Sequence, residues 1–150
     1  MELSILLGAA GTCALGAVLP WISTEAVLLG ALLALPASWV PAAVAACAAG
    51  QMTGKAGLYL LARSAPHRLP DRAAGVLARA RGLARRPRFL AAAVLTGSAV
   101  ALPPFYLITL ASGLARLPFA LFTAAGLLGC LLRYGVLAWG AGMLGLGGAA

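Results

Sequence analysis

Apolar side chains run through this chain almost without a break, so its elements are marked by the interruptions. Residues 4–19 form a first apolar stretch, enough for roughly 24 Å of helix, and residues 25–35 a second of roughly 16 Å. Between them stands Leu19-Pro20-Trp21-Ile22-Ser23-Thr24-Glu25, a helix breaker followed by an ionisable acid. Neither stretch crosses a hydrocarbon core of about 30 Å. Two short helices meeting at a proline predict a re-entrant hairpin, which dips into the membrane and returns to its own side. Pro36-Ala37-Ser38-Trp39-Val40-Pro41 predicts a turn with an interfacial tryptophan. Residues 41–62 then predict a full span of about 33 Å.

A polar interruption, residues 63–88, separates this half from a second built in the same way. Ser64-Ala65-Pro66-His67-Arg68-Leu69-Pro70 reads as a turn. Asp71 to Arg86 predicts an amphipathic helix on the membrane surface: Val76, Leu77, Ala80, Leu83 and Ala84 share one stripe, while Arg72, Arg79 and Arg86 recur every seventh position. Residues 89–102 and 105–115 then form a second hairpin around Leu102-Pro103-Pro104. After a turn at 114–118, residues 118–141 form a second span. The predicted fold class is an all-α integral membrane protein of one domain. Residues 1–62 and 89–150 are two inverted repeats, each a re-entrant hairpin followed by a transmembrane helix. Gly54 and Tyr59 stand in the same relation in the first span as Gly129 and Tyr134 in the second.

Composition supports the membrane reading and changes what the charge means. Of 150 residues, 63% are hydrophobic and 9% charged, and the mean hydropathy is +1.00, outside the range of soluble domains. In a soluble protein the net charge of +8 would point to nucleic acid. Here eight of the eleven basic residues fall between Arg63 and Arg88, which marks a cytoplasmic loop by the positive-inside rule, and no nucleic-acid partner is expected. With Arg116 the predicted cytoplasmic side holds nine of the eleven. The cluster Arg79, Arg81, Arg85 and Arg86 also suits the gathering of anionic head groups beside a bilayer. Nineteen glycines predict helices packed through small residues, with Gly50 and Gly54 as a GxxxG pair. Cys13, Cys47 and Cys130 stand singly in apolar sequence and read as packing residues, with neither a disulfide framework nor a zinc site. The first nineteen residues lack the basic start of a secretory signal and are expected to be retained.

Candidate chemistry is sparse. Of three acids, Glu2 is terminal and Asp71 lies among arginines, so Glu25 is the one flanked on both sides by membrane-type sequence. A charge at the bilayer centre costs on the order of 2.5–3.5 kcal/mol on insertion scales, which marks such a residue as functional by default. Glu25 at a helix start is suited to be held by backbone N–H groups and the positive end of the helix dipole, and to pair with Arg133 or Lys55. Burial favours its neutral form and a neighbouring cation its charged form, the combination a proton carrier needs. The planar fork of Arg133 suits phosphate or carboxylate. The segment Gly50-Gln51-Met52-Thr53-Gly54-Lys55-Ala56 is not a phosphate loop: its glycine spacing is one short, Ala56 replaces the metal-binding hydroxyl, and no strand precedes it. One histidine, His67, and scattered hydroxyls make no catalytic set, so neither an enzyme activity nor a cofactor or metal is expected.

The segments Leu19-Pro20-x-x-Ser23-x-Glu25, Gly50-x-x-x-Gly54-x-x-x-x-Tyr59-x-x-x-Arg63, Pro103-Pro104 followed by Ala111-x-Gly113, and Gly129-x-x-x-Arg133-Tyr134 resemble the DedA/VTT superfamily (SNARE-associated Golgi protein type), most closely its short YqaA-like bacterial branch. The resemblance covers about residues 10–140. Larger members carry an acid where Lys55 stands here, and a glycine where Ala62 stands. The resemblance implies a multi-pass protein of the bacterial inner membrane that translocates lipid. Its substrates would be phospholipid or polyprenyl phosphate, with proton coupling in some members. Glu25 then matches the acid of the first hairpin and Arg133 the arginine of the last span. Two other readings of the residues stand beside it: a small proton-coupled exporter of cationic or amphipathic compounds, and a membrane assembly protein whose charges only hold the fold. So small a bundle is also expected to form a homo-oligomer.

Overall fold

The computed structural model describes residues 1–19, 21–64, 87–100 and 105–145. The expected hairpin breaks Pro20, Pro103 and Pro104, and the expected surface helix with Arg79, Arg81, Arg85 and Arg86, lie outside these residues. The described chain is all-helical: α1 (Glu2–Gly16), α2 (Thr24–Ala34), a 3-10 turn (Ala37–Trp39), α3 (Val40–Ser64), α4 (Pro87–Val100), α5 (Phe105–Leu114) and α6 (Phe119–Met143).

Prolines set most of these boundaries, because a proline disfavours helical backbone in the residue before it but is tolerated in a first turn. Helix α1 ends ahead of Leu19-Pro20 in a chain of tight turns: Val18 and Leu19 N–H donate to the Leu15 carbonyl, and Ile22 N–H donates to that of Leu19. Helix α2 ends ahead of Leu35-Pro36, α3 begins one residue before Pro41, which lies in its first turn, α4 begins at Pro87, and α6 just after Pro118. The start of α2 is capped by Ser23, whose hydroxyl accepts from Ala26 N–H at 3.2 Å while its own backbone stays extended at φ −76° and ψ 109°.

Helices α3 and α6 have 25 residues each, long enough at about 38 Å to cross a bilayer. Among the described residues, however, only α6 is both long and apolar enough to do so. Gln51, Thr53 and Lys55 and the surrounding glycines dilute α3, so the expected pair of full spans is met by length in both helices and by apolarity in α6 alone. Helices α1, α2 and α4 are apolar but shorter than a span.

The chain divides into two compact units, Met1–Gly54 with Cys130–Ala150, and Lys55–Gly129. These do not coincide with the two halves of the sequence, because each unit takes one hairpin and a part of each long helix. In the first unit, α1 packs on α2 and also on α3 through glycine. A Cβ on Gly50 would strike the Ala10 carbonyl, and one on Gly54 would strike the Ala14 carbonyl and come within 2.7 Å of the Ala17 methyl. Both glycines thus stand where α3 and α1 come closest together. At the hairpin turn, Gly16 lies so close to Thr24 that a Cβ there would sit 2.8 Å from its methyl. The core of this unit includes Leu28, Leu32, Leu35, Cys13 and Cys47, all essentially inaccessible.

In the second unit, α4 packs on α5, Gly129 of α6 lies against Leu95 and Ser98 of α4, and Gly113 of α5 against the Tyr59 carbonyl and Ala62 of α3. Tyr59 is fully buried and stacks on Phe122 with ring centroids 4.7 Å apart. Its hydroxyl donates to the Leu117 carbonyl and accepts from Arg63 Nη1 at 2.7 Å. Arg63, expected to mark the end of the first span, is exposed and turns back onto this tyrosine.

Candidate functional site

The polar centre of the first unit forms where the start of α2 meets side chains from α3 and α6. Its first element is Ser23-Thr24-Glu25. Capping places Glu25 in the first turn of α2, where the unpaired N–H groups and the helix dipole favour a carboxylate. The Ser23 hydroxyl donates to Glu25 Oε2 at 3.1 Å, and Thr24 reaches the same oxygen at 3.5 Å.

Arg133 approaches from α6. Its Nη1 lies 3.3 Å from Glu25 Oε1, so the pairing expected between acid and arginine is present. The two partners differ in exposure, with 37% of the Glu25 side chain accessible and 11% of the Arg133 side chain. At 3.3 Å the pair is longer than the 2.7–2.9 Å usual for a charge-assisted bond. The other terminal nitrogen, Nη2, meets three neutral oxygens: Tyr134 OH at 3.1 Å, Gln51 Oε1 at 3.2 Å and Thr24 Oγ1 at 3.3 Å. The guanidinium also lies over the Tyr134 ring, 4.8 Å from its centroid. Arg133 Nε is buried and has no hydrogen-bond partner.

These contacts close into a directed network. Gln51 Nε2 donates to Thr24 Oγ1 at 3.1 Å, and Gln51 Oε1 accepts from Cys130 Sγ at 3.1 Å as well as from Arg133. Two hydrogens on Nη2 satisfy Gln51 and Tyr134. The glutamine donor satisfies Thr24, and the Thr24 and Ser23 hydroxyls then point at the carboxylate. Thr24, Gln51, Cys130 and Tyr134 are all buried, so each of these polar groups needs the partner it has.

Of the residues expected at the site, Glu25 and Arg133 come together. Tyr134, expected to pack helices, joins them as a neighbour of the guanidinium. Lys55 is buried and belongs to the other unit, as do Tyr59 and Gly129. Sequence reasoning missed Gln51 and Thr24, and read Cys130 as packing alone. One signal was present: Gln51 is an uncharged polar side chain in the interior of an apolar helix, flanked by glycines that bring another backbone against it.

Chemically, the arrangement holds one guanidinium by a firm set of neutral oxygens on one side and by a more accessible carboxylate on the other. The carboxylate is the partner that another oxyanion can replace. No group of acids, cysteines or histidines among the described residues could hold a metal ion. The chain matches no protein-family model, no curated protein and no solved structure.

Proposed function

We propose that the protein is a multi-pass membrane transporter of the DedA/VTT type that translocates lipids with anionic phosphate head groups. On this reading it resides in the bacterial inner membrane, is built of two inverted repeats, and works as a homo-oligomer. The observation that carries the reading is the Glu25–Arg133 pair, set at the capped start of a short helix beside a proline-containing connection. Broken helices of this kind carry binding groups to membrane depth, where unpaired helix N-termini and buried side chains replace water around an ion. Arg133 receives the head-group phosphate as Glu25 gives up its place, by protonation or by turning towards the accessible side. The acyl tails remain in the bilayer, so only the head group needs a polar path. The outward apolar side chains of both chain ends support placement in lipid: Trp21 is 77% exposed and Trp139 69%, with Leu132 and Val136 beside the latter on α6.

The test is translocation of fluorescent phosphatidylglycerol by the purified chain in phosphatidylcholine vesicles. The wild type moves the probe between leaflets. Glu25→Gln inserts and folds but loses transport or its pH dependence. Arg133→Lys fails because a point charge replaces a planar fork. Wild-type vesicles that move lipid no faster than protein-free vesicles end this reading, as does full transport by both variants.

A further inference from the structure

We infer that Gln51 is a positioning residue for Arg133, and that it determines which side of the guanidinium an anion can take. The inference rests on the transport reading above and deepens it. Three observations on separate elements carry it. Gln51 is 6% exposed, and its amide makes three hydrogen bonds: to Thr24 at the start of α2, and to Cys130 and Arg133 on α6. Its orientation follows from its neighbours. Nε2 faces a hydroxyl oxygen, and Oε1 faces two donors, a thiol and a guanidinium nitrogen. Gly50, the preceding residue, sets α3 closely against the Ala10 backbone, so the amide projects from a helix packed at short range.

The consequence for Arg133 is asymmetry. Nη2 is occupied by Gln51 and its neutral companions, while Nη1 is held by a partly exposed carboxylate at 3.3 Å and Nε has no partner. A phosphate oxygen that displaces Glu25 meets Nη1 with the guanidinium plane already fixed. Without Gln51, Nη2 keeps only Tyr134 and Thr24, so the fork is held less firmly and the incoming anion must complete its ordering.

The test uses the full chain in phosphatidylcholine vesicles holding a graded fraction of fluorescent phosphatidylglycerol, read as half-saturating fraction and maximal rate, with melting temperature measured in parallel. Gln51→Met keeps length and packing but supplies no donor and only a weak acceptor. Its half-saturating fraction rises about tenfold, the loss expected for one hydrogen bond to a charged group, while the maximal rate changes less. Gln51→Glu keeps the size and the acceptor on Nη2 but adds a charge that competes for the fork, and its half-saturating fraction also rises. The exchange variant Glu25→Gln/Gln51→Glu restores the charge balance with the acid on the wrong side. It melts near the wild type, yet its half-saturating fraction stays raised. Wild-type half-saturation in Gln51→Met, Gln51→Glu or the exchange variant overturns the inference and leaves the transport reading standing. A wild type that moves no lipid overturns both.

Discussion

Two glycines on α3 allow one substitution to be tried in opposite surroundings. At Gly50 a Cβ would overlap the Ala10 carbonyl and lie 2.8 Å from the Ala10 Cα, an obstacle made of backbone that no rotamer change removes. At Gly57, two turns further on, nothing lies within 4 Å. Gly50→Ala therefore forces α1 away from α3, at a cost near the upper end of the roughly 1–3 kcal/mol typical of overpacking. Gly57→Ala meets no obstacle and gains helix propensity. In water that gain is about 0.8–1 kcal/mol, and it is smaller where lipid keeps helices formed in the unfolded state. At roughly 2–4 °C per kcal/mol for a chain of this size, Gly50→Ala lowers the melting temperature by about 4–12 °C, and Gly57→Ala leaves it equal or slightly higher. Scanning fluorimetry of the purified variants in one detergent reads both. Trimming the partner with Ala10→Gly does not rescue Gly50→Ala, because the clash is with a carbonyl. Shifts of the same sign and size at the two positions, or rescue by Ala10→Gly, would refute the packing of α1 on α3.

Three further outcomes follow from the site and the topology. Glu25→Gln and Arg133→Met each lower stability, and the double variant recovers part of the loss; a partly exposed pair lies between the surface and buried limits, so a coupling of about 1–2 kcal/mol is expected from unfolding of the four forms. Full additivity would show that the two charges do not interact. Ser23→Ala removes the cap of α2 and a donor to Glu25. It costs about 1 kcal/mol by thermal unfolding and Ser23→Gly less, whereas equal loss from both would point away from capping. In a cysteine-free background, Ser38→Cys reacts with an impermeant thiol reagent added outside intact cells and Ala74→Cys does not; labelling of the latter from outside would reverse the orientation proposed from the arginines.

The helix boundaries were legible because proline acts locally. Leu19-Pro20, Leu35-Pro36 and Pro118 each limit a helix through covalent geometry that no tertiary contact overrides, and the observed ends fall within a few residues of those expected. The Glu25–Arg133 pair was legible because so few charges stand in apolar sequence that chemistry leaves few combinations. Gln51 was not, since a neutral amide gives no electrostatic signal and its importance depends on which helices converge around it. The same holds for Cys130, whose thiol is both a packing group and a donor to Gln51. Nor did hydropathy along the chain show that α3 and α6 would each be shared between two compact units, because that division depends on contacts far apart in sequence.

The unit that carries the ion pair is built from both ends of the chain, with Lys55–Gly129 intervening. Thr24 and Arg133 stand 109 positions apart. At roughly 5–20 residues per second, a ribosome takes several seconds to make the intervening stretch. During that interval Thr24, Glu25 and Gln51 exist without the helix that satisfies them. The nascent chain thus carries a polar, incomplete core until α6 arrives, and a chain stopped before α6 leaves Thr24, Glu25 and Gln51 without their partners on that helix. The site is completed only when α6 joins the helices made before it.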